Sequence, residues 1–416
     1  MASLLAFLCI FGFSFWTSTN AWDESKWTVS NELFDSLEEL ARLVDISYCV
    51  GTTGIQKPFQ CLSHCAEFPD LELVTTWNTG VLLSDSCGYV ALSHPPSPKR
   101  ILVAFRGTYS LTNTIIDLLA YPQSYVPYPG DSHDQRNGTK LPSAPRCENC
   151  TVHAGFMTSW LNTRSVVLSS VSAAREKFPD YEVTLVGHSL GGAVAALAGL
   201  EMRLKGWDPQ VTSFGEPMVG NGAFVQFLNQ HFQLSSKHSK ATSDSPRDKH
   251  LRFRRVTHVG DPVPLLPLQE WDYEAHAGEI FISKQDLPPS IEDLQPCVGN
   301  CDPRCIAGPE TTDLLRTLKM DPSIHRPVSV SSCPPSQDDV DLETADQAKQ
   351  VILGQRTSRG RSSPADCDRN QANGLLHSIH WDWSIPARYR IWQLFCAHRD
   401  YFWRIGLCIP GGDPTG

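Results

Sequence analysis

Residues 183–199 read VTLVGHSLGGAVAALAG, and this stretch decides the fold that we expect. A β-branched and leucine run, typical of a buried strand, passes directly into an alanine-rich run that predicts a helix. Gly187, Ser189 and Gly191 are crowded into the join. A sharp strand-to-helix turn tolerates only small residues two positions before and after its serine, and it holds the serine hydroxyl exposed. We therefore expect Ser189 at the corner between a strand and a helix.

A serine at such a corner is a candidate nucleophile. The helix that follows directs unpaired N–H groups and a positive dipole end at the corner, which favours a developing oxyanion. The spacing G-x-S-x-G is by itself a weak signal, and its alternative is a glycine-rich turn with an idle serine. The strand before Ser189 and the small-residue helix after it favour the nucleophile.

A serine nucleophile needs a base, and the base needs an acid that orients it. On a strand-turn-helix serine the acid is expected next along the chain, and Asp261 follows the strand-like residues 252–257. Its alternative is an Asx turn ahead of Pro262. The candidate bases are two histidines near Asp261 and three late ones, of which the order favours the late group: His258, His276, His377, His380 and His398.

Strand-like and helical runs alternate along much of the chain. We predict strands at residues 71–77, 88–92, 101–105, 182–186, 211–214 and 252–257, and helices at residues 30–44, 153–177, 190–205 and 223–232. Such alternation predicts an α/β fold in which helices cover both faces of a central, mostly parallel sheet.

The N-terminus and one long internal stretch differ from the rest in composition. Residues 2–16 form an apolar run too short to span a bilayer comfortably, which predicts a secretory signal peptide at residues 1–21. A retained anchor is the alternative, because no Lys or Arg precedes the run. We expect residues 22–416 to form a single domain. Within it, residues 284–373 have little periodicity, which predicts an irregular or disordered insertion before the C-terminal segment.

Charge and cysteine content narrow the class of protein. A net charge of −10 argues against a nucleic-acid-binding protein. Thirteen of the fourteen cysteines follow Ala21, which fits an oxidising compartment, and the odd number predicts a free thiol or a bond to another chain. Sequons at Asn137 and Asn149 agree with this, so we expect a secreted, extracellular glycoprotein.

Five segments, taken in order, resemble the filamentous-fungal class 3 lipases, a family of triacylglycerol lipases that also includes feruloyl esterases. They are VAFRGT (103–108), CENCTVHAGFMTSW (147–160), VTLVGHSLGGAVAAL (183–197), RRVTHVGDPVPLLP (254–267) and AHRDYFWRIGLC (397–408). The resemblance covers about residues 33–283 and the C-terminal end. It implies the α/β-hydrolase fold.

The resemblance also assigns roles to individual residues. It implies that Ser189 is the nucleophile, Asp261 the orienting acid and His398 the base, with His380 or His377 as alternatives. It implies an oxyanion hole formed by Thr108 and by the backbone N–H of Leu190. The alternative for Thr108 is a turn residue after a strand.

Disulfides are implied in the same way. The resemblance pairs Cys49 with Cys408, Cys61 with Cys65 and Cys147 with Cys150. The other cysteines have no counterpart that we assign: Cys87, Cys297, Cys301, Cys305, Cys333, Cys367 and Cys396.

A short apolar stripe follows Thr108. In YSLTNTIIDLLAYP (109–122), the stripe falls at positions i, i+4, i+7 and i+8 of one helix face: Leu111, Ile115, Leu118 and Leu119. Such stripes are often core packing. Beside the predicted oxyanion hole, and with the family resemblance, this one predicts a lid helix that an oil surface can receive.

These residues together predict a serine esterase that cleaves acylglycerols through an acyl-enzyme, with a lipid ester at an oil–water or membrane interface as its substrate. The spacing of Cys297, Cys301 and Cys305 could suggest a metal, but no histidine sits at ligand spacing. We therefore expect no metal, and no organic cofactor or obligate protein partner. A phospholipase A1 or feruloyl esterase of the same fold is the alternative, followed by a non-catalytic binding protein.

Overall fold

The computed structural model describes residues 28–80, 85–108, 122–124, 147–234, 251–267, 271–308, 396–406 and 408. Within these ranges the strands are β1 (Leu71–Asn78), β2 (Cys87–Ser93), β3 (Arg100–Phe105), β4 (Pro122–Ser124), β5 (Thr151–His153), β6 (Glu182–His188), β7 (Gln210–Phe214), β8 (Phe253–His258), β9 (Glu279–Ile282) and β10 (Leu294–Pro296). The helices are α1 (Asn31–Ile46), α2 (Ala154–Lys177), α3 (Leu190–Leu204) and α4 (Gly222–His231).

One sheet organises the chain, with eight strands in the order β1-β2-β3-β6-β7-β8-β9-β10. Strands β3, β6, β7, β8 and β9 run parallel to one another. Antiparallel pairs close both edges, β1-β2-β3 on one side and β9-β10 on the other. β4 and β5 pair separately. The mostly parallel sheet predicted from the sequence is thus present.

Apolar layers cover both faces of this sheet. Successive residues of β6 face opposite layers, because side chains alternate along a strand: Leu185 packs in the layer that contains α2, α3 and α4, and Val186 in the layer that contains α1. A strand that is buried on both faces has a nearly continuous apolar sequence, which is why β6 can be predicted from the sequence.

Most predicted elements agree with the structure to within two residues at each end. The strands β4, β5, β9 and β10 are not predicted, because three or four residues are too few to show a period. No helix among the described residues has both the length and the apolarity to cross a membrane.

A short piece of the predicted insertion, β10 (Leu294–Pro296), belongs to the sheet. β10 pairs with β9, a disulfide joins Cys297 to Cys305, and the N–H of Ile306 donates to Oε1 of Glu279 at 3.1 Å. A disulfide and a buried carboxylate therefore hold this part of the chain in place without any sequence periodicity, and the insertion at residues 284–373 as a whole stays a prediction. Residues 309–373 lie outside the described residues.

The three disulfides implied by the resemblance are formed: Cys49–Cys408, Cys61–Cys65 and Cys147–Cys150. Cys301 and Cys396 are also disulfide-bonded. Among the described cysteines, Cys87 carries a buried free thiol. The bond between Cys49 and Cys408 joins the region after α1 to the C-terminal segment, residues 396–406 and 408.

Candidate active site

Ser189 lies at the corner between β6 and α3, as the sequence predicts. Its backbone has φ 57° and ψ −129°, a region that residues with side chains rarely adopt. A Cβ on Gly187 would lie 2.1 Å from the carbonyl oxygen of Gly191, and one on Gly191 would lie 2.3 Å from that of Phe105. Backbone atoms cannot yield at such distances, so the corner requires glycine on both sides of the serine.

Asp261 and His398 come together from distant parts of the chain. Asp261 follows β8 and is fully buried. Nδ1 of His398 lies 3.0 Å from both carboxylate oxygens, across 137 residues of sequence, and the N–H of Val263 donates to Oδ1 at 2.9 Å. Because the carboxylate accepts at Nδ1, the neutral imidazole keeps its lone pair on Nε2. That is the tautomer that a general base requires.

The backbone at Phe214 and Gly215 links the serine to this histidine. The N–H of Ser189 donates to the carbonyl of Phe214 at 2.9 Å, and a Cβ on Gly215 would lie 3.0 Å from Cε1 of His398. Nε2 of His398 is buried and makes no hydrogen bond, so it does not bond to Ser189 in this conformation. Catalytic hydrogen bonds are often long before substrate binds. Nε2 therefore has no competing partner for a proton from the serine.

The other candidate histidines have different positions. His258 is buried at the end of β8, and burial lowers its pKa. His276 contacts Oε1 of Glu216 through Nε2 at 3.1 Å and the carbonyl of Ala277 through Nδ1 at 2.6 Å. Neither of these two imidazoles hydrogen-bonds to the carboxylate of Asp261. The remaining two lie outside the described residues: His377 and His380.

The predicted oxyanion donors border Ser189 on two sides. Leu190 is the first residue of α3, and the first N–H groups of a helix have no partner within it. The chain that follows β3 passes close to Ser189. A Cβ on Gly107 would lie 2.8 Å from Cβ of Ser189. The next residue of that chain is the half-buried Thr108.

A hydrogen-bonded chain that sequence reasoning missed runs through His188, the residue before the serine. Nε2 of His188 donates to the backbone carbonyl of His398 at 2.8 Å, since a carbonyl can only accept. Burial and the neighbouring His398 hold the pKa of His188 well below its usual range, so Nδ1 is left as an acceptor for the Tyr48 hydroxyl at 2.6 Å. The Tyr48 oxygen accepts from the N–H of Gly107 at 3.2 Å.

Tyr401 is a second residue that sequence reasoning did not single out. Its hydroxyl donates to Oδ2 of Asp261 at 2.6 Å. The signal lay in the family-like letters AHRDYF, where Tyr401 follows His398 by three positions. The C-terminal segment therefore contacts the carboxylate of Asp261 twice.

Several predicted residues fall outside the described ranges. The lid stripe is one such set, and one sequon is another: Leu111, Ile115, Leu118, Leu119 and Asn137. The second sequon, Asn149, is exposed between the bonded Cys147 and Cys150.

One cluster has the composition of a metal site. Ligand atoms of Glu279, Cys297 and Cys305 lie within 4.8 Å of one another. The two sulfurs are bonded to each other, so neither is the thiolate that binds a metal. The donor set therefore does not fit a metal centre.

Comparisons with known proteins agree with this geometry. Residues 102–271 match the family Lipase (class 3). Lipase A of Sodiomyces alcalophilus is 47% identical over 402 residues, which cover 93% of this chain and 85% of that protein. The secreted mono- and diacylglycerol lipase 2 of Gibberella zeae is 44% identical over 402 residues, with the same coverage of 93% and 85%.

A solved structure extends the likeness to three dimensions. The Lip2 lipase from Yarrowia lipolytica superposes with a TM-score of 0.58 at 32% identity, covering 67% of this chain and 89% of that one. The fold is that of the α/β-hydrolases. The shared fold, the sequence identity and the coverage of both chains show that the protein belongs to the class 3 lipase family and is a carboxylic ester hydrolase.

Proposed function

We propose that the protein is a secreted lipase that hydrolyses the ester bonds of acylglycerols, with Ser189 as nucleophile, His398 as general base and acid, and Asp261 as the orienting carboxylate. One observation carries the proposal. Nδ1 of His398 lies 3.0 Å from both oxygens of Asp261, while its buried Nε2 makes no hydrogen bond.

Each group has a definite task in the reaction. Nε2 of His398 takes the hydroxyl proton as Ser189 attacks the ester carbonyl, and Asp261 stabilises the imidazolium that forms. The tetrahedral oxyanion accepts hydrogen bonds from Thr108 and Leu190, and losing one such donor costs about 3 kcal/mol in the transition state. His398 then returns the proton to the departing glycerol oxygen.

The second half of the reaction releases the acyl group. Water attacks the acyl-enzyme, His398 takes its proton, and the fatty acid leaves as Ser189 recovers its hydroxyl. No step requires a metal or an organic cofactor.

The substrate class is supported by the relatives, one of which is named a secreted mono- and diacylglycerol lipase. The stripe of Leu111, Ile115, Leu118 and Leu119 would form a lid that meets an oil or membrane surface. We further propose that residues 1–21 are removed on secretion, that residues 22–416 form one domain, and that Asn137 and Asn149 are glycosylated.

A substrate panel tests the proposal. Purified enzyme and its Ser189→Ala variant would be assayed on mono-, di- and triacylglycerols, a phospholipid and methyl ferulate. We expect glycerides to be the best substrates of the wild-type enzyme, with no turnover by the variant. Faster cleavage of the phospholipid or of methyl ferulate would overturn the acylglycerol assignment, and equal activity of the variant would overturn the nucleophile.

A further inference from the structure

The carboxylate of Asp261 depends on a small number of neutral donors. Oδ1 accepts from the N–H of Val263, Oδ2 accepts from the hydroxyl of Tyr401, and both oxygens face Nδ1 of His398. No lysine or arginine pairs with it in the part of the chain that the structure describes. Because Asp261 is fully buried, its negative charge is stabilised mainly by these hydrogen bonds.

We propose that Tyr401 is a positioning residue of the reaction, whose hydroxyl fixes the carboxylate of Asp261 and thereby sets how strongly His398 holds a proton. This inference rests on the proposed triad. Tyr401 acts through Asp261 and has no assigned contact with the substrate.

The Tyr401 ring is held in a single orientation. It is fully buried and packs edge-on against Phe214 at 5.6 Å and against His188 at 6.1 Å between ring centroids. The backbone N–H of Tyr401 donates to the carbonyl of Trp403 at 3.1 Å. A ring fixed in this way holds its hydroxyl at Oδ2 of Asp261.

The Tyr401 hydroxyl keeps its proton. Burial, followed by the negative charge of Asp261, raises the pKa of Tyr401 well above its usual range. A phenol that does not ionise can donate to a carboxylate at every pH at which an esterase works. Among the described residues, the ionisable groups around Tyr401 also include His188 on β6, His258 and Arg255 on β8, and Glu279 on β9.

Gly215 shows how closely the three side chains converge. A Cβ at this position would lie 2.7 Å from the Tyr401 oxygen, 3.0 Å from Oδ2 of Asp261 and 3.0 Å from Cε1 of His398. The tyrosine is thus as close to this point as the acid and the base are. All three share one space that a glycine leaves open.

Loss of the hydroxyl has a predictable sign. Without the donor, more negative charge on Asp261 is available to the imidazolium form of His398, so the acid limb of the pH–rate profile moves to higher pH. The carboxylate is also less firmly oriented, which lowers kcat. KM changes little, because no substrate contact is removed.

The test compares Tyr401→Phe with Tyr89→Phe on a soluble ester, 4-nitrophenyl butyrate. Tyr89 is the matched control, since it is fully buried and its hydroxyl donates to the carbonyl of Leu43 at 2.8 Å, away from the site. For Tyr401→Phe we expect kcat to fall about tenfold, with KM changed less than about twofold and the acid limb moved to higher pH. Tyr89→Phe leaves all three unchanged. If both variants behave alike, Tyr401 is only structural and the inference is overturned.

A fluorinated tyrosine at position 401 covers the case in which Tyr401→Phe does not fold. 3-Fluorotyrosine retains the shape and donates a stronger hydrogen bond, so the acid limb should move to lower pH, opposite to the phenylalanine variant. An unchanged limb contradicts the inference. Failure of the triad itself is distinguishable, because Ser189→Ala would then retain the wild-type rate.

Discussion

The ring of His188 donates a 2.8 Å hydrogen bond to the backbone carbonyl of His398, so the residue before the proposed nucleophile contacts the residue that is proposed to activate it. The two rings also lie 4.8 Å apart between centroids. The hydrogen bond requires His188 to be neutral with its proton on Nε2 or fully protonated, and its lowered pKa selects the neutral form. Ser189 and His398 are therefore linked through the backbone and through a second imidazole.

Buried neutral histidines make stability depend on pH in a definite direction. Burial lowers the pKa of both His188 and His258 below the ordinary value of 6.5. Below pH 6.5 the unfolded chain binds protons that the folded chain does not, so the free energy of unfolding falls as pH drops. The expected slope is about 1.4 kcal/mol per pH unit for each histidine.

Urea unfolding between pH 7.5 and 5 measures this slope. His258→Gln should lower the slope by about 1.4 kcal/mol per pH unit, the contribution of one proton. Thr212→Val changes a buried hydroxyl that does not titrate, so it should leave the slope unchanged. An unaltered slope in His258→Gln would show that His258 is not held neutral.

Gly215→Ala should strongly impair catalysis. The added methyl group would lie within 3.0 Å of Tyr401, Asp261 and His398, at a backbone φ of 58°. We expect kcat/KM to fall at least about a hundredfold, because small misplacements of reacting groups are costly.

Gly206→Ala is the matched control for that substitution. Gly206 has φ 78°, and a Cβ there meets no atom within 4 Å. It therefore carries the backbone strain of about 1–2 kcal/mol without the clash. Similar activities for the two alanine variants would mean that the crowding at Gly215 is unimportant for the site.

The bond between Cys49 and Cys408 should contribute more to stability and to activity than the bond between Cys297 and Cys305. It spans 359 residues and anchors the segment that carries His398, whereas the bond between Cys297 and Cys305 spans 8. Replacing each pair with alanine should lower the free energy of unfolding by roughly 5 and 2 kcal/mol respectively. Thermal melting and the rate per folded molecule measure both effects. We expect only the first pair to reduce that rate, and an equal loss in both would contradict the anchoring role.

The proposed lid predicts interfacial activation. Hydrolysis of a short-chain glyceride should rise abruptly as its concentration passes the solubility limit, because a lid with this apolar stripe would open only when the stripe can enter an oil surface. The rate is followed by titrating the released acid. A smooth saturation curve through the solubility limit would count against the lid.

The parts of the site that the sequence revealed are those with local causes. The corner at Ser189 can be recognised in the sequence because residues 187 and 191 must be small whatever surrounds them. Asp261 can be recognised as a carboxylate that follows a strand, although its local sequence does not distinguish an orienting acid from the first residue of an Asx turn. His398 required the family resemblance, because its contact with Asp261 spans 137 residues, and order alone left His377 and His380 open.

The residues that sequence reasoning missed act through tertiary contacts. Tyr48 reaches His188 across 140 positions, and Tyr401 reaches Asp261 across another 140. No spacing rule reports a hydrogen bond between segments so far apart. The short strands β9 and β10 were missed for a different reason, since their order comes from pairing and a disulfide and not from periodicity.

The most direct test of the proposed triad is fluorophosphonate labelling of Ser189 in the wild type and in His398→Ala and His380→Ala, with hydrolysis of a soluble ester measured in parallel. We predict that His380→Ala labels and turns over like the wild type, while in His398→Ala both rates fall by at least roughly 10⁴-fold. Retained activity in His398→Ala together with its loss in His380→Ala would assign the base to the other histidine and contradict the account.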